Sequence, residues 1–454
     1  MLQKTDPIVA RASAAGRGGI GIVRISGSKN DIDEIVRKIF SGKKLQNRYA
    51  HLMHLNDAEG MLIDQVIAIY FQAPHSYTGE TVLELQSHGG QIVVGRVIGR
   101  IMELGASVGI RLARPGEFTE RAFLNGRMDL AQAEAVADLI DAGSVSASRA
   151  AARSLQGAFS EKISKLNENL LSLRTYVEAT LDFPEEEIDF ISQGKIREKT
   201  EAILQELSII EKQANRGKKL RDGLNVVLVG EPNVGKSSLI NALAGQEVSI
   251  VTDVAGTTRD KIECEVLLDG LLVKLTDTAG LRETEDIVEL AGVERAKKAV
   301  KDADVVLLLK DATGNDEQKS KISTFLLGYL REDVKQIEIF NKIDLCPERV
   351  KKNPDEIFIS ARTGSGLDEL IEKLKSLVGK ESEEGDFIAR TRHLECLSRA
   401  RRSLEVAKTN LETTNLELAA EEMRLAGTAL GEIVGQSMSE DILDRIFKTF
   451  CIGK

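Results

Sequence analysis

Apolar residues recur along this chain with two periods, and the changes from one to the other divide it into segments. Up to about residue 118, short apolar runs such as IGIVRIS (20–26), DQVIAIYF (64–71) and TVLELQ (81–86) are set between turns punctuated by Gly16, Gly18, Gly19, Gly79, Gly89 and Gly90. Such runs predict strands, and one or two helical stretches between them make this an expected α+β domain. From about residue 127 the spacing becomes three and four. Leu130, Ala133, Ala137 and Ile140 fall on one helix face. Leu155, Phe159, Ile163, Leu166, Leu170, Leu173, Val177 and Leu181 then predict a single long amphipathic helix, broken near Pro184 in DFPEEEIDF (182–190). Ile203, Leu207 and Ile210 mark a further helix.

Between about 222 and 378 the pattern changes again. LNVVLVG, VVLLLK, IEIF and EIFIS are short apolar runs separated by helical segments, which predicts a parallel doubly wound sheet. ECEVLLDGLLVKLTD interrupts it as a hairpin turning at Asp269-Gly270. After the acidic linker KESEEGD, helical spacing returns in Leu394, Leu397, Leu404, Ala407 and Leu411, and again over 416–434 and 440–450. In the last of these, Ser439 stands where a cap is needed, and Ile442, Leu443, Ile446 and Phe447 lie on one side. The helical stripes on either side of the α/β segment both need partners. They predict one helical domain built from both flanks, with the α/β domain inserted in it. The expected boundaries are 1–118 (α+β), 119–217 (helical, first part), 218–380 (α/β) and 381–454 (helical, second part).

Composition narrows the chemistry. The 454 residues carry a net charge of -10, so no global positive field attracts nucleic acid and any such contact needs a local basic patch. Arg390, Arg392, Arg399, Arg401 and Arg402 form one candidate patch, although such runs are usually solvated helix faces. No secretory signal and no apolar run of membrane-spanning length is present, and Cys264, Cys346, Cys396 and Cys451 are dispersed without zinc spacing. Reduced thiols in a cytoplasmic protein are the expectation. The final TFCIGK fits the prenylation spacing only loosely, since a last Lys is not a usual acceptor. Cys451 stands between packing and a thiol role.

GEPNVGKSS (230–238) follows a predicted strand and opens a predicted helix. Glycines let such a loop wrap phosphate, and backbone N–H groups at the helix start favour anions. Lys236 would reach the outer phosphates and Ser237 would hold Mg²⁺. DTAG (277–280) ends another strand, placing Asp277 to reach Mg²⁺ through water and Gly280 to approach the γ-phosphate. NKID (341–344) brings Asp344, a carboxylate suited to guanine N1 and N2, and SAR (360–362) would offer backbone donors to the guanine oxygen. With GTTRD (256–260) between them, the set resembles the Ras-like GTPases in content and order. Leu281 stands where those proteins use a glutamine to orient water, so another group must do so. Asn233 is a neutral oxygen ligand near the β- and γ-phosphates, suited to K⁺ or simply to a turn.

ARPGEFTERAFLNGRMDLAQAEAVADLIDA (113–142), DFPEEEIDF and the ending FCIGK, together with the GTPase motifs, resemble the MnmE (TrmE) family of tRNA-modification GTPases from about Gly16 to Lys454. The resemblance implies an N-terminal α+β folate-binding and dimerisation domain, an α-helical domain and an inserted α/β P-loop GTPase domain. It implies a homodimer working with an FAD-dependent MnmG-like partner as a heterotetramer. The pair would install aminomethyl or carboxymethylaminomethyl groups on carbon 5 of a tRNA wobble uridine, using carbon from a methylene-tetrahydrofolate.

Carried onto this chain, the nucleotide contacts fall at Asn233, Val234, Gly235, Lys236, Ser237 and Ser238 in the loop and at Thr252, Asp253, Val254, Ala255, Gly256, Thr257 and Thr258 beyond it. They continue at Asp277, Thr278, Ala279 and Gly280, at Asn341, Lys342 and Asp344, and at Ser360, Ala361 and Arg362. Ser237 and Thr258 would hold Mg²⁺, while Asn233, Thr252, Val254 and Thr257 would hold K⁺. Glu289 would take the water-orienting role, beside Lys236 and Asp277 as catalytic groups. A folate such as 5-formyl- or 5,10-methylene-tetrahydrofolate would meet Arg24, Glu84, Arg127 and Lys454. Arg127 departs from the lysine of the family, and a cross-strand ion pair would also account for Arg24 and Glu84. Two other readings compete: a regulatory, RNA-binding GTPase of the ribosome-assembly type, and a folate-binding module with a GTPase fused for regulation.

Overall fold

Ser28 shows how the N-terminal segment takes shape. Its side chain accepts from the Asp31 N–H (3.2 Å) and donates to the Asp31 carboxylate (2.6 Å), starting helix α1, Lys29–Ile39. Ile32, Ile35, Val36 and Ile39 follow at three- and four-residue spacing and are buried. The computed structural model describes residues 6–182, 195–245, 263–277, 297–314, 328–331, 334–346, 356–378, 387–436 and 438–453. Within these, the chain forms two compact units, one of residues 1–137, 155–200 and 399–454, the other of 138–154 and 201–398.

The first unit holds a six-stranded sheet. Its strands are β1 (Ile8–Arg11), β2 (Ile20–Gly27), β3 (Ala50–Asn56), β4 (Leu62–Phe71), β5 (Thr81–His88) and β6 (Arg111–Leu112), ordered β3-β4-β5-β2-β1-β6. Pairing is antiparallel except for β1 with β6. Alternate residues Val23, Ile25, Leu83, Leu85, Val66 and Ala68 form a core with α1 and with α2 (Gln91–Leu104). The opposite face of β2 and β5 sets Arg24 directly across from Glu84. The three predicted strands here all form, and β1, β3 and β6 join them without a marked apolar alternation.

Helix α3, Glu117–Leu124, begins on a buried charge network. Glu117, 1% exposed, accepts from Arg111 (2.5 and 2.8 Å), from Arg121 (3.1 Å) and from the Arg114 N–H (2.8 Å). Burial pushes its carboxyl up, but the Arg111, Arg114 and Arg121 donors outweigh that and hold it down at about 2. A carboxylate depressed below its unfolded value stabilises the fold above about pH 4.5, and that contribution fades as the pH falls towards 2. Glu117→Gln should therefore lower the thermal midpoint of this unit by about 5–10 °C at pH 7, with a shrinking difference from wild type below pH 4 in a calorimetric series.

Helix α4 (Leu130–Ile140) and α5 (Val145–Leu155) precede α6 (Ala158–Asp182). The expected long helix forms as α6 but starts at Ala158; Leu155 instead closes α5, and the two are parted at Gln156-Gly157, where Gly157 has φ +101°. Apolar spacing continues across the break because both helices carry it. α6 buries Phe159, Ile163, Leu166, Leu170, Leu173 and Val177 and packs against a later helix, Leu416–Val434. Alanines at 419, 426 and 429 on that partner allow close approach. Ile140 and Ile442, assigned to buried faces by spacing, are 50% and 44% exposed. Each lies at the edge of its stripe.

The second unit carries another six-stranded sheet: β7 (Leu224–Gly230), β8 (Glu263–Leu268), β9 (Leu271–Asp277), β10 (Val305–Asp311), β11 (Lys335–Asn341) and β12 (Ile357–Phe358). The order β12-β11-β10-β7-β9-β8 is parallel except for the β8–β9 hairpin, which turns at Asp269-Gly270 as expected. In the same unit Asp138, 4% exposed in its side chain, binds Arg221 and Arg390, each at 2.7 Å. Arg390, offered by the sequence as a phosphate contact, is committed to that pair. Arg399, in the first unit, is paired with Glu432.

Candidate functional sites: a phosphate loop and a docked tail

Strands β7, β9, β10 and β11 are parallel, so their C-terminal ends converge on one edge, where doubly wound sheets bind ligands. The 231–235 turn leads from β7 into a helix, Lys236–Ala244. Lys236 is buried, and its Nζ donates to the Gly230 and Glu231 carbonyls at 2.8 and 2.9 Å. Burial lowers the ammonium pKa, while the Asp277 charge opposes the shift. Ser237 Oγ donates to Asp277 Oδ2 at 3.1 Å. An oxygen group at the start of the helix and another at the end of β9 thus meet at the loop, a hard donor set that suits Mg²⁺.

Asn341 joins this loop to the 360–362 segment. Its Nδ2 donates to the Val234 carbonyl (2.8 Å), and its Oδ1 accepts from the Ala361 N–H (3.0 Å). Gly235 has φ +97°, and a Cβ there would lie 2.3 Å from Asn341 Nδ2, so no side chain is accommodated. Asp344 is exposed and accepts from Ser360 Oγ (2.7 Å). Lys342, at φ +69°, binds Asp311 Oδ2 at 2.7 Å. Burial pushes the Asp311 carboxyl up, but bonds from Lys342 and Thr313 bring it below its ordinary value. Asn233 is exposed with φ +66°, a conformation Asn tolerates better than most residues. Ser238 and Arg362 are exposed beside these groups. Thr252, Asp253, Val254, Ala255, Gly256, Thr257, Thr258, Thr278, Ala279, Gly280, Leu281 and Glu289 lie outside the described residues.

The second cluster lies in the other unit. Arg24 Nε binds Glu84 Oε1 at 2.8 Å, the cross-strand pair that the register requires. The Arg24 guanidinium also sits 5.2 Å from the Tyr77 ring centre and 5.7 Å from that of Phe118. Its Nη1 donates to the Gly453 carbonyl at 3.4 Å, so the C-terminal tail is at this site. The last helix, Glu440–Phe447, delivers it. Ser439 is the cap residue by backbone geometry, but its side chain makes no capping hydrogen bond. Leu443, Phe447 and Phe450 pack with Leu130 and Ala133, and Cys451 is exposed. Arg127 is exposed and lies against Gly79, while Lys454 lies outside the described residues. Sequence reasoning missed Tyr77, Phe118 and Asp311. Only the aromatic in GEFTERAF and the strand-ending DATG could have hinted at the last two.

A family model of the "MnmE helical domain" matches residues 130–451, and one of the "GTP-binding protein TrmE N-terminus" matches residues 7–127. The "tRNA modification GTPase MnmE" of Bordetella parapertussis is 49% identical over 451 residues, covering 99% of both chains. The chain belongs to the MnmE family. A second member, the "tRNA modification GTPase MnmE" of Photobacterium profundum, is 48% identical over 461 residues and covers 100% of both chains. Among solved structures, the G domain of the T. maritima FeoB iron transporter is 32% identical and covers 34% of this chain and 98% of that one. Its TM-score of 0.26 is too low to carry an argument. Family membership agrees with the expected fold class: an N-terminal α+β domain, a helical part and an α/β phosphate-loop domain. No helix among the described residues is long and apolar enough to cross a membrane.

Proposed function

We propose that this chain hydrolyses GTP in the course of tRNA modification. The observation that carries the reading is the phosphate loop with its buried Lys236 and its Ser237–Asp277 pair, in a chain 48–49% identical over its length to proteins named for that activity. Lys236 gives up its two carbonyl partners to bind the outer phosphates. Asp344 accepts from guanine N1 and N2 and thereby selects GTP over ATP. Ser237 and Thr258 would hold Mg²⁺, with Asp277 reaching it through water, and the ion would supply charge to offset the phosphates. Asn233, Thr252, Val254 and Thr257 would hold K⁺, which would supply the positive charge an arginine gives elsewhere. Glu289 orients the attacking water.

The Arg24–Glu84 pair, with Tyr77 and Phe118 beside it, offers donors, an acceptor and aromatic surface suited to the flat ring of a folate. Arg127 and Lys454 complete that pocket in our reading. The chain works as a cytoplasmic homodimer joined through the 1–118 domain, with 119–217 and 381–454 forming one helical domain around a GTPase domain of 218–380. An FAD-dependent MnmG-like partner completes a heterotetramer. Its product is an aminomethyl or carboxymethylaminomethyl group on carbon 5 of the wobble uridine, position 34, its carbon drawn from 5,10-methylene-tetrahydrofolate.

Expression in bacteria lacking their own family member, followed by mass spectrometry of wobble uridines, tests the whole reading. Restored modification is expected. Unmodified uridine beside folded, GTP-binding protein would refute it. For the cation, hydrolysis should run at least about tenfold faster in KCl than in NaCl, and Asn233→Ala should erase the difference. Equal rates in the two salts would remove K⁺ from the scheme.

A further inference from the structure

The tail does not reach the Arg24–Glu84 site by its own helix alone. The Gly116 N–H donates to the Cys451 carbonyl at 3.3 Å. Gly116 has φ +68°, and a Cβ built there would fall 2.4 Å from the Phe447 carbonyl oxygen and 3.0 Å from Phe450 Cβ. Chain and tail are therefore in backbone contact at this point, on both sides of the Phe447–Cys451 turn. The second anchor is Gly453, at φ +93°, where a Cβ would fall 2.0 Å from the Arg11 carbonyl oxygen. Cys451 lies between the two anchors.

Gly116 is itself held still. The next residue is Glu117, bound by Arg111 and Arg121 and by the Arg114 N–H, and Arg114 also reaches Asp444 of the last helix at 4.0 Å. The turn at 114–117 is thus bolted to the N-terminal sheet by ion pairs. Its glycine lets the backbone of the tail lie directly on it.

We propose that Gly116 is a positioning residue, a latch that fixes the tail so that the Gly453 carbonyl meets Arg24 and Cys451 is held by its backbone at a set place. The latch rests on the folate reading for its purpose, but its geometry is independent of it. A hydrogen bond and a steric gap at the turn become the placement of residues three to six positions beyond the last helix.

Gly116→Ala tests this, with Gly109→Ala as its control. Gly109 has a nearly equal φ of +70° with nothing within 4 Å of its would-be Cβ, so it reports the cost of the backbone conformation without displacing the tail. In the full chain, Gly116→Ala should weaken 5-formyl-tetrahydrofolate binding by about tenfold or more and change the alkylation rate of Cys451 by at least about threefold. GTP affinity should not move. Gly109→Ala should leave all three as in wild type, even if both variants melt earlier. Unchanged folate affinity and unchanged Cys451 alkylation in folded Gly116→Ala would overturn the latch. Where that variant does not fold, the chain truncated after Phe450 decides, by hydrogen exchange of the 114–118 segment. Faster exchange at Gly116 than in the full chain supports the latch, and equal exchange overturns it. If wild type binds no 5-formyl-tetrahydrofolate, the folate reading fails, while alkylation and exchange still judge the latch.

Discussion

Lys236→Ala should abolish GTP hydrolysis and weaken GTP binding by about a hundredfold to a thousandfold, read by fluorescence of a labelled nucleotide. The side chain is buried, and its ammonium group donates to the Gly230 and Glu231 carbonyls. Those bonds cost little to exchange for phosphate oxygens, since a charged donor on a charged acceptor is the stronger pair. Removing the ammonium takes away that gain, worth about 3–4 kcal/mol in a partly desolvated site. Burial that already lowers the Lys236 pKa makes the phosphate a welcome counter-charge. Lys236→Arg should fare scarcely better, because a planar fork does not fit where a compact ammonium is enclosed by its own loop. Binding within a factor of three of wild type for either variant would remove Lys236 from the site.

Deleting residues 451–454 is the second large effect. GTP binding should survive, because every described group of the nucleotide site lies in residues 230–362. Wobble-uridine modification should fall below detection, because the Arg24 contact with Gly453 and the Cys451 thiol go together. Gly453→Ala is the finer version, adding one methyl 2.0 Å from the Arg11 carbonyl at a φ that disfavours any side chain. Full modification by the truncated chain would show that the tail is merely packed there.

The two sites were legible in the sequence to different degrees, for a physical reason. Gly230 to Ser237 are contiguous, and the backbone geometry that cradles phosphate is built from neighbours, so the motif and the chemistry coincide. Asn341 and Asp344 could be read because the first ends an apolar strand and the second follows it closely. That Asn341 would tie Val234 to Ala361 could not, since no local pattern encodes a contact between three loops. Arg24 and Glu84 entered only through resemblance. Their register, by contrast, follows from which faces of β2 and β5 are buried. Helical spacing located the long helix of 158–182 and the three helices after residue 390, yet it ran through Gly157, where the chain turns, and it placed Ile442 inward together with Leu443, Ile446 and Phe447. Periodicity measures which face is apolar, and it is silent about the edges of that face and about where a helix pauses in phase.

The Arg24–Gly453 contact joins residues 429 apart in sequence. Closing so long a segment costs only about 1.3 kcal/mol more than closing one of a hundred residues, because the entropy grows with the logarithm of length. Its consequence is one of timing. As the chain emerges from the ribosome, the N-terminal sheet and the phosphate loop can both fold while the tail is still unmade. A nascent chain can therefore bind nucleotide well before its Arg24 site has its last wall, and the order of synthesis keeps that site open until the end.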